Sequence, residues 1–377
     1  MTDENFMRRA IELARRGEGR TNPNPLVGAV IVRDGRIIGE GFHHAYGDLH
    51  AERDALRDCA SRGGNPQGAT IFVTLEPCCH FGKQPPCAHA LVEAGIARVV
   101  VGSRDPNPLV RGKGSAYLRG HGIKVEEDFL RAECDALNAI FFHYITTGLP
   151  FVALKYAMTA DGKIATKTGA SQWISNERSR EFTHTLRNRY AGILAGVGTV
   201  IDDDPMLSCR LTDGAGGMTG KNPVRIVCDS RLRIPPESRI VKTAREIPTI
   251  VACVGNPGAA EKKSALERAG VEVIEVPCGA DDENPMAQVN LRELMRILGG
   301  RKIDSVLVEG GAEIHYSALR AGIVNKIFAF VAPKIFGGAA KSPVGGEGVE
   351  HVSGAFKFKL EKVTRLDDDV LLEYAGL

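Results

Sequence analysis

The chain has no apolar run that approaches the length of a membrane span, so a transmembrane protein is not expected. A secretory leader is not expected either. The opening "MTDENFMRRAIELARR" is patterned as an amphipathic helix, which points to the cytoplasm. Charge of one sign is missing too. Lys and Arg number 48 against 46 Asp and Glu, a formal net charge of +2, and no polybasic stripe stands out. General nucleic-acid or membrane-surface binding is therefore not expected. No internal repeat and no low-complexity segment stands out. The nine cysteines form an odd set in a long chain that is not expected to carry a signal peptide, so metal binding or buried thiols are expected ahead of disulfides. Cys134, Cys209, Cys228, Cys253 and Cys278 stand singly, several in strand-like runs, and are read as small core residues.

What is present suits a globular α/β protein, with 43% hydrophobic and 25% charged residues. At 377 residues the chain is too long for one ordinary core. In "LVGAVIVRDGRIIGEGF" two apolar strands flank an Asp34-Gly35 turn, a strong hairpin signal. A helix "HAERDALRDCAS", strand "ATIFVTL", helix "CAHALVEAGI" and strand "ARVVVGS" follow. After a break at Gly148–Pro150 the run "FVALKYAM" begins a second half, with strands expected at "VRIVCDS", "TIVACVG", "VEVIEVP" and "SVLVEGG". Both halves read as helices layered on central sheets, with domains at 1–146 and 150–377.

The segment "LEPCCHFGKQPPC" gathers thiols, and "HAE" at 50–52 supplies an imidazole and a carboxylate. A catalytic zinc takes three protein ligands and keeps one position open. Glu52 lies two positions after His50, off its helix face, and is free to handle protons. His-x-Glu followed by Pro-Cys and a second Cys is the zinc-deaminase pattern. Position 81, where that pattern expects the second Cys, is Phe81, which leaves Cys79, His80 and Cys87. Adjacent Cys78 and Cys79 rarely face one ion, and Cys87 opens a helix whose N-terminus favours a thiolate. A closed zinc knot completed by His80 or Cys79 is the plainer alternative, but it gives Glu52 no purpose. His43, His44 and His89 are read as surface or helix residues.

Together, "TNPNPLVGAVIV", "HAE", "TLEPCCHFGKQPPC" and "RDPNP" resemble the deaminase half of the bifunctional riboflavin-biosynthesis deaminase/reductases. In that family the longer Cys-to-Cys spacing is the rule, and Ser usually stands where Cys79 is. The resemblance implies a cytidine-deaminase-like α/β/α domain. It assigns His50, Cys78 and Cys87 to zinc and Glu52 to proton transfer. It gives Asn24, Asp105 and Asn107 to the substrate and Lys83 to its phosphate. Read from the residues alone, Asn24, Asp105 and Asn107 are turn residues beside prolines and Lys83 is a solvated lysine.

A full G-x-G-x-x-G is missing from the second half. "GVGTVI" has two glycines and stops, whereas "SVLVEGGAEIHYSAL" reads as strand, double-glycine turn and helix, able to cradle a phosphate. "LKYAMTADGKIA", "SQWIS", "GVGTVIDDDPML", "VCDS" and "VEGGAEI" are similar, in order, to the reductase half of the same family. That half has a dihydrofolate-reductase-like fold and uses NADPH. By this resemblance Ala157, Trp173, Thr199, Asp203, Ser230, Gly311, Ala312, Glu313, Ile314, His315, Tyr316 and Ser317 line the cofactor site. Ser171, Arg187, Leu207, Arg210 and Glu309 line the substrate site, and Lys155 and Asp203 lie closest to the chemistry. The guanidinium groups of Arg187 and Arg210 suit a phosphate. Lys155 in an apolar strand needs a partner, for which Asp203 or the substrate phosphate is expected. Arg231 is the basic residue considered for a 2′-phosphate.

The expected protein is thus a fused zinc deaminase and NADPH reductase acting on a phosphoribosyl-pyrimidine, working as a homo-oligomer without nucleic acid or membrane. A nucleotide or nucleic-acid base deaminase fused to an unrelated nucleotide-binding domain is the alternative. A zinc-stapled nucleotide-binding regulator is the non-enzymatic one.

Overall fold

The computed structural model describes residues 1–80, 85–108, 110–212, 219–255, 259–277 and 288–377. It divides into two compact units, Met1–Gly148 and Leu149–Leu377.

The first unit opens with helix α1 (Asp3–Arg15), whose acidic first turn and basic last turn match the helix dipole. Strands β1 (Gly28–Arg33) and β2 (Arg36–Phe42) form the expected hairpin. Asp34 and Gly35 take φ of 49° and 70°, the left-handed pair that a tight two-residue turn requires. Helix α2 (Ala51–Ser61), β3 (Thr70–Leu75), α3 (Cys87–Glu93), β4 (Arg98–Ser103), α4 (Lys113–Gly120), β5 (Lys124–Glu126), α5 (Arg131–Leu137) and α6 (Ala139–Thr147) follow. The strand order is β2-β1-β3-β4-β5, antiparallel through β3 and parallel beyond it. Alternation along the strands divides the core. Ala29, Ile31, Ile71, Val73, Val99 and Val101 pack with α2, α3 and α4, while Val30, Phe72 and Val100 pack with α1 and α5. Both helix layers thereby leave the C-terminal ends of β3 and β4 open for loops that carry chemistry.

The second unit begins with β6 (Phe151–Thr159), continues through α7 (Glu177–Arg189), β7 (Gly192–Gly196), α8 (Val197–Asp203), β8 (Val224–Cys228), α9 (Arg239–Lys242), β9 (Thr249–Cys253), α10 (Ala260–Arg268), β10 (Glu272–Glu275), α11 (Leu291–Gly300), β11 (Ser305–Gly310) and α12 (Ala312–Arg320), and ends with β12 (Val324–Ala332), β13 (Phe358–Leu366) and β14 (Asp369–Gly376). Its sheet runs β10-β9-β8-β7-β11-β6-β12-β14-β13 and is parallel up to β12. The four strands expected at "VRIVCDS", "TIVACVG", "VEVIEVP" and "SVLVEGG" are β8, β9, β10 and β11. The antiparallel β13–β14 hairpin was not foreseen; Asp367, with φ of 55°, marks its turn. Cys134, Cys209 and Cys253 are buried and Cys228 is half-buried, whereas Cys278 lies outside the described residues.

Candidate active sites

In the first unit, His50 caps the start of α2, Cys78 follows the end of β3, and Cys87 is the first residue of α3. The Nδ1 of His50 lies 3.6 Å from Cys78 Sγ and 3.4 Å from Cys87 Sγ. A tetrahedral zinc with one imidazole and two thiolates separates nitrogen from sulfur by about 3.6 Å. The trio therefore fits that ion, and it is a cluster of metal-ligand geometry among the described residues. The backbone N–H of Cys87 donates to Cys78 Sγ at 3.4 Å. Hydrogen bonding from Cys87, and after it from His50, pulls the Cys78 thiol down despite burial, while its partner Cys87 is pushed up. Two thiols in contact lose their protons in sequence, and a cation between them removes that conflict. Cys79 turns instead toward the core beside α2 and α3.

Glu52 is 3% exposed, on the first turn of α2, and shares a hydrogen bond with Cys87. Burial, then the charge of Cys78, raises its carboxyl above the ordinary range. Asn24 Nδ2 lies 3.0 Å from His43 Nε2, and His43 Nδ1 lies 2.9 Å from the carbonyl oxygen of Leu49. With Nδ1–H donating to that carbonyl, Nε2 accepts from Asn24, whose Oδ1 takes no donor among the described residues. His43 was expected at the surface or on a helix, but it is 2% exposed, because burying the ring is what lets it orient Asn24. His44 pairs with the buried Asp54 at 2.9 Å, and His89 stacks on Tyr117. Asp105 Oδ1 accepts the Asn107 N–H at 2.8 Å, a local turn, and burial lifts the Asp105 carboxyl to about 6. Lys83 lies outside the described residues.

In the second unit the parallel register sets Lys155 and Glu309 side by side, each following a paired residue, Leu154 on β6 and Val308 on β11. Arg187, from α7, grips Glu309 with Nε to Oε1 at 2.7 Å and Nη2 to Oε2 at 2.8 Å, and donates through Nη1 to the carbonyl of Ser208 at 3.0 Å. Burial opposes ionisation of Glu309, but Arg187 and Lys155 overcome it and hold the carboxyl at about 2. Burial pushes the Lys155 ammonium down, with Glu309 opposing the shift. Two expectations change here. The acid acting on Lys155 is Glu309, because β11 is its neighbour in the sheet. Asp203 instead ends α8, exposed, where it feels Asp202 and Lys341. The bidentate fork of Arg187 is already taken by a carboxylate, which leaves Arg210 as the more open guanidinium.

His184, one turn before Arg187 on α7, escaped the sequence reading because a single His on an amphipathic helix carries no signal. Its Nδ1 accepts the Arg210 N–H at 3.2 Å. Burial, then Arg187 and Arg210, lowers its pKa to about 4. An imidazole whose pKa falls from its unfolded value to about 4 on folding binds fewer protons when folded, so protonation favours unfolding. The stability of this unit is expected to fall as pH drops through the ordinary imidazole range toward 4. Thermal melts of the parent and of His184→Gln at matched pH check this, since the parent should lose more than the variant.

Several of the remaining expected residues follow the C-terminal ends of parallel strands. Thr199 Oγ1 packs against the Gly310–Gly311 turn, 3.3 Å from where a side chain on Gly310 would begin. Gly311 caps α12, which carries Ala312, Glu313, Ile314, His315, Tyr316 and Ser317. The His315 ring meets the carbonyl of Pro343 at 2.8 Å, the Tyr316 hydroxyl donates to Gly348 O at 3.3 Å, and Glu313 Oε1 accepts from Gly346 N at 3.2 Å. Ala157 lies on β6 opposite Phe330. Trp173 is 61% exposed with Arg180 against its ring, and Ser171 accepts from the Ile174 amide. Leu207 is buried with φ of 47°. Ser230 follows β8 and its Oγ accepts the Val289 N–H at 3.2 Å.

Comparison with known proteins adds sequence-wide relationships to this geometry. The model of the RibD C-terminal domain matches residues 150–372, and that of the cytidine and deoxycytidylate deaminase zinc-binding region matches residues 1–103. The riboflavin biosynthesis protein RibD of Actinobacillus pleuropneumoniae is 48% identical over 99% of this chain and 95% of that protein. Its Escherichia coli K12 counterpart is 37% identical over the full length of both. Among solved structures, the diaminohydroxyphosphoribosylaminopyrimidine deaminase/5-amino-6-(5-phosphoribosylamino)uracil reductase of Thermotoga maritima is 40% identical, with TM-score 0.85 over 99% of this chain and 98% of that one. Acinetobacter baumannii RibD is 36% identical, with TM-score 0.85 over 100% and 99%. No described helix is long and apolar enough to cross a membrane. A zinc-fitting trio beside a buried glutamate, followed by a unit whose sheet sets Lys155 beside the Arg187–Glu309 pair, is thus joined to near-complete coverage by these relatives: the chain belongs to the RibD family of bifunctional deaminase/reductases of riboflavin biosynthesis.

Proposed function

We propose that Met1–Gly148 hydrolytically deaminates 2,5-diamino-6-(5-phosphoribosylamino)pyrimidin-4-one, and that Leu149–Leu377 then reduces the ribosyl chain to ribityl with NADPH. The observation that carries the first half is the His50, Cys78, Cys87 trio with Glu52 buried against it. When bound, zinc supplies an acidified water as nucleophile near neutral pH. Glu52, its carboxyl raised by burial, accepts a proton from the water and gives it to the ring nitrogen, then carries the proton of the newly added hydroxyl to the amino group, which leaves as ammonia. Asn24, through the oxygen its bond to His43 leaves free, accepts from a substrate N–H, and Asp105 and Asn107 hold the pyrimidine from the loop after β4. Lys83 is assigned to the phosphate by family resemblance alone.

In the second unit, Thr199, Gly311 and the Ala312–Ser317 start of α12, Ala157, Trp173, Asp203 and Ser230 line the NADPH site. The N-terminus of α12, capped by Gly311, would hold the cofactor's pyrophosphate, because helix N-terminal N–H groups favour anions. Ser171, Arg187, Leu207, Arg210 and Glu309 line the substrate site. Lys155 supplies the positive charge beside the carbon that receives hydride. A cytoplasmic setting is supported by the free state of the eight described cysteines. A homo-oligomer is supported by the long edge strand β13, with Leu360 50% and Val363 57% exposed. The diaminopyrimidine is the expected substrate in place of a nucleic acid, since the net charge is only +2.

Purified enzyme given the diaminopyrimidine and NADPH should release ammonia first and then oxidise NADPH; oxidation without ammonia release would refute the order. The metal assignment has its own check. Cys87→Ser is expected to lose the roughly one zinc per chain that a single three-ligand site implies. Cys79→Ser should keep it, with both read by elemental analysis. Equal loss from both would undo the ligand set.

A further inference from the structure

Glu76 lies one residue past β3 and belongs neither to the zinc trio nor to the proton chemistry of Glu52, yet it is only 4% exposed. Its Oε2 accepts the backbone N–H of Asp105 at 3.4 Å and of Gly112 at 3.0 Å. Its Oε1 accepts those of Gly114 at 3.1 Å and Ser115 at 3.3 Å. Its own amide donates to the carbonyl of Ser103 at 2.9 Å, at the end of β4. One carboxylate thus holds the start of the loop that carries Asp105 and Asn107, and also its end, where α4 begins. Helix α4 has no capping side chain of its own: its N-cap is Gly112, at φ 73°. Glu76 satisfies those amides from a different element. The approach is so close that a Cβ on Gly114 would lie 1.9 Å from the carbonyl oxygen of Pro77.

We propose that Glu76 is a positioning residue for deamination. It ties both ends of the 105–112 loop to the strand end bearing Cys78, and so sets where a substrate held by Asp105 and Asn107 stands relative to the metal ligands. The inference rests on the reading of Asp105 and Asn107 as substrate contacts. A plain helix cap would need only the α4 amides. The bond to the Asp105 amide, at the far end of the loop, is what couples the carboxylate to substrate placement. Glutamine cannot substitute, because its single carbonyl oxygen replaces two acceptors and its NH2 group faces N–H donors.

The test uses the full-length zinc-loaded enzyme with Glu76→Gln, Asp105→Asn and the double variant. Glu76→Gln should keep its zinc and should oxidise NADPH with the deaminated intermediate at the parent rate. It should raise the KM for deamination roughly tenfold or more, the scale of losing charge-assisted hydrogen bonds. Because both residues act through one loop, the double variant should be little worse than the more severe single. Gly112→Ala keeps the carboxylate but strains a residue at φ 73°; it should raise KM in the same direction by less, and it carries the test if Glu76→Gln fails to fold. A Glu76→Gln enzyme within twofold of the parent, beside an impaired Asp105→Asn, overturns the role of Glu76 alone. Zinc loss in proportion to activity overturns it as well, since the carboxylate would then serve the metal strand. An unimpaired Asp105→Asn removes the substrate reading and this inference with it.

Discussion

Glu52→Gln should lower deamination by roughly a hundredfold to ten-thousandfold, the range for losing a positioned general acid–base, while reduction of the supplied deaminated intermediate continues at the parent rate. The side chain is buried on the first turn of α2 and touches Cys87, so the swap keeps shape and removes only the ability to carry a proton. Zinc content should stay at the parent level, because the trio is His50, Cys78 and Cys87 without it. Ammonia release and NADPH oxidation measured on one preparation decide the matter. Loss of both activities in a folded, zinc-replete variant would mean that the two units do not work separately.

Lys155→Ala should reduce NADPH oxidation by about a hundredfold or more and leave ammonia release untouched. Hydride transfer to a carbonyl or imine carbon leaves an atom that must gain a proton or a balancing charge. Lys155 is suited to both: burial pushes its ammonium down, toward giving up a proton, while the Glu309 carboxylate beside it keeps a charged form within reach. The buried Arg187–Glu309 pair holds that carboxylate in place. Glu309→Ala would strand Arg187 without its acid, at a cost of about 3–5 kcal/mol, so thermal stability has to be read beside turnover for that variant. Lys155→Ala should melt close to the parent and still lose turnover. If it reduced the intermediate at near the parent rate, the lysine would be a packing residue and the proton would come from another group. Asp203→Ala should have a smaller effect than Lys155→Ala, because its electrostatic neighbours are Asp202 and Lys341.

Much of this protein follows from short-range patterns. Alternating apolar residues place β1, β2, β3 and β4, the Asp34-Gly35 pair turns the hairpin, and "VLVEGGAEI" folds as strand, turn and helix. Each depends on neighbours a few residues apart, where side-chain periodicity and backbone preference act directly. The candidate zinc ligands were legible for a related reason, with the family resemblance choosing Cys87 over Cys79 and His80. Only a few residue types bind the ion, and two of the three ligands share one segment. What the tertiary structure decided is which distant groups meet. The parallel register of β11 beside β6 puts Glu309 next to Lys155, and α7 brings Arg187 to the same carboxylate from 122 residues away. Folding buries His43 against Asn24, and it carries Glu76 to amides as far off as Ser115. A buried carboxylate or imidazole takes whichever donor the sheet order and strand register bring within about 3 Å. No local pattern encodes that choice, because burial, which makes the partner necessary, exists only once the sheets have formed.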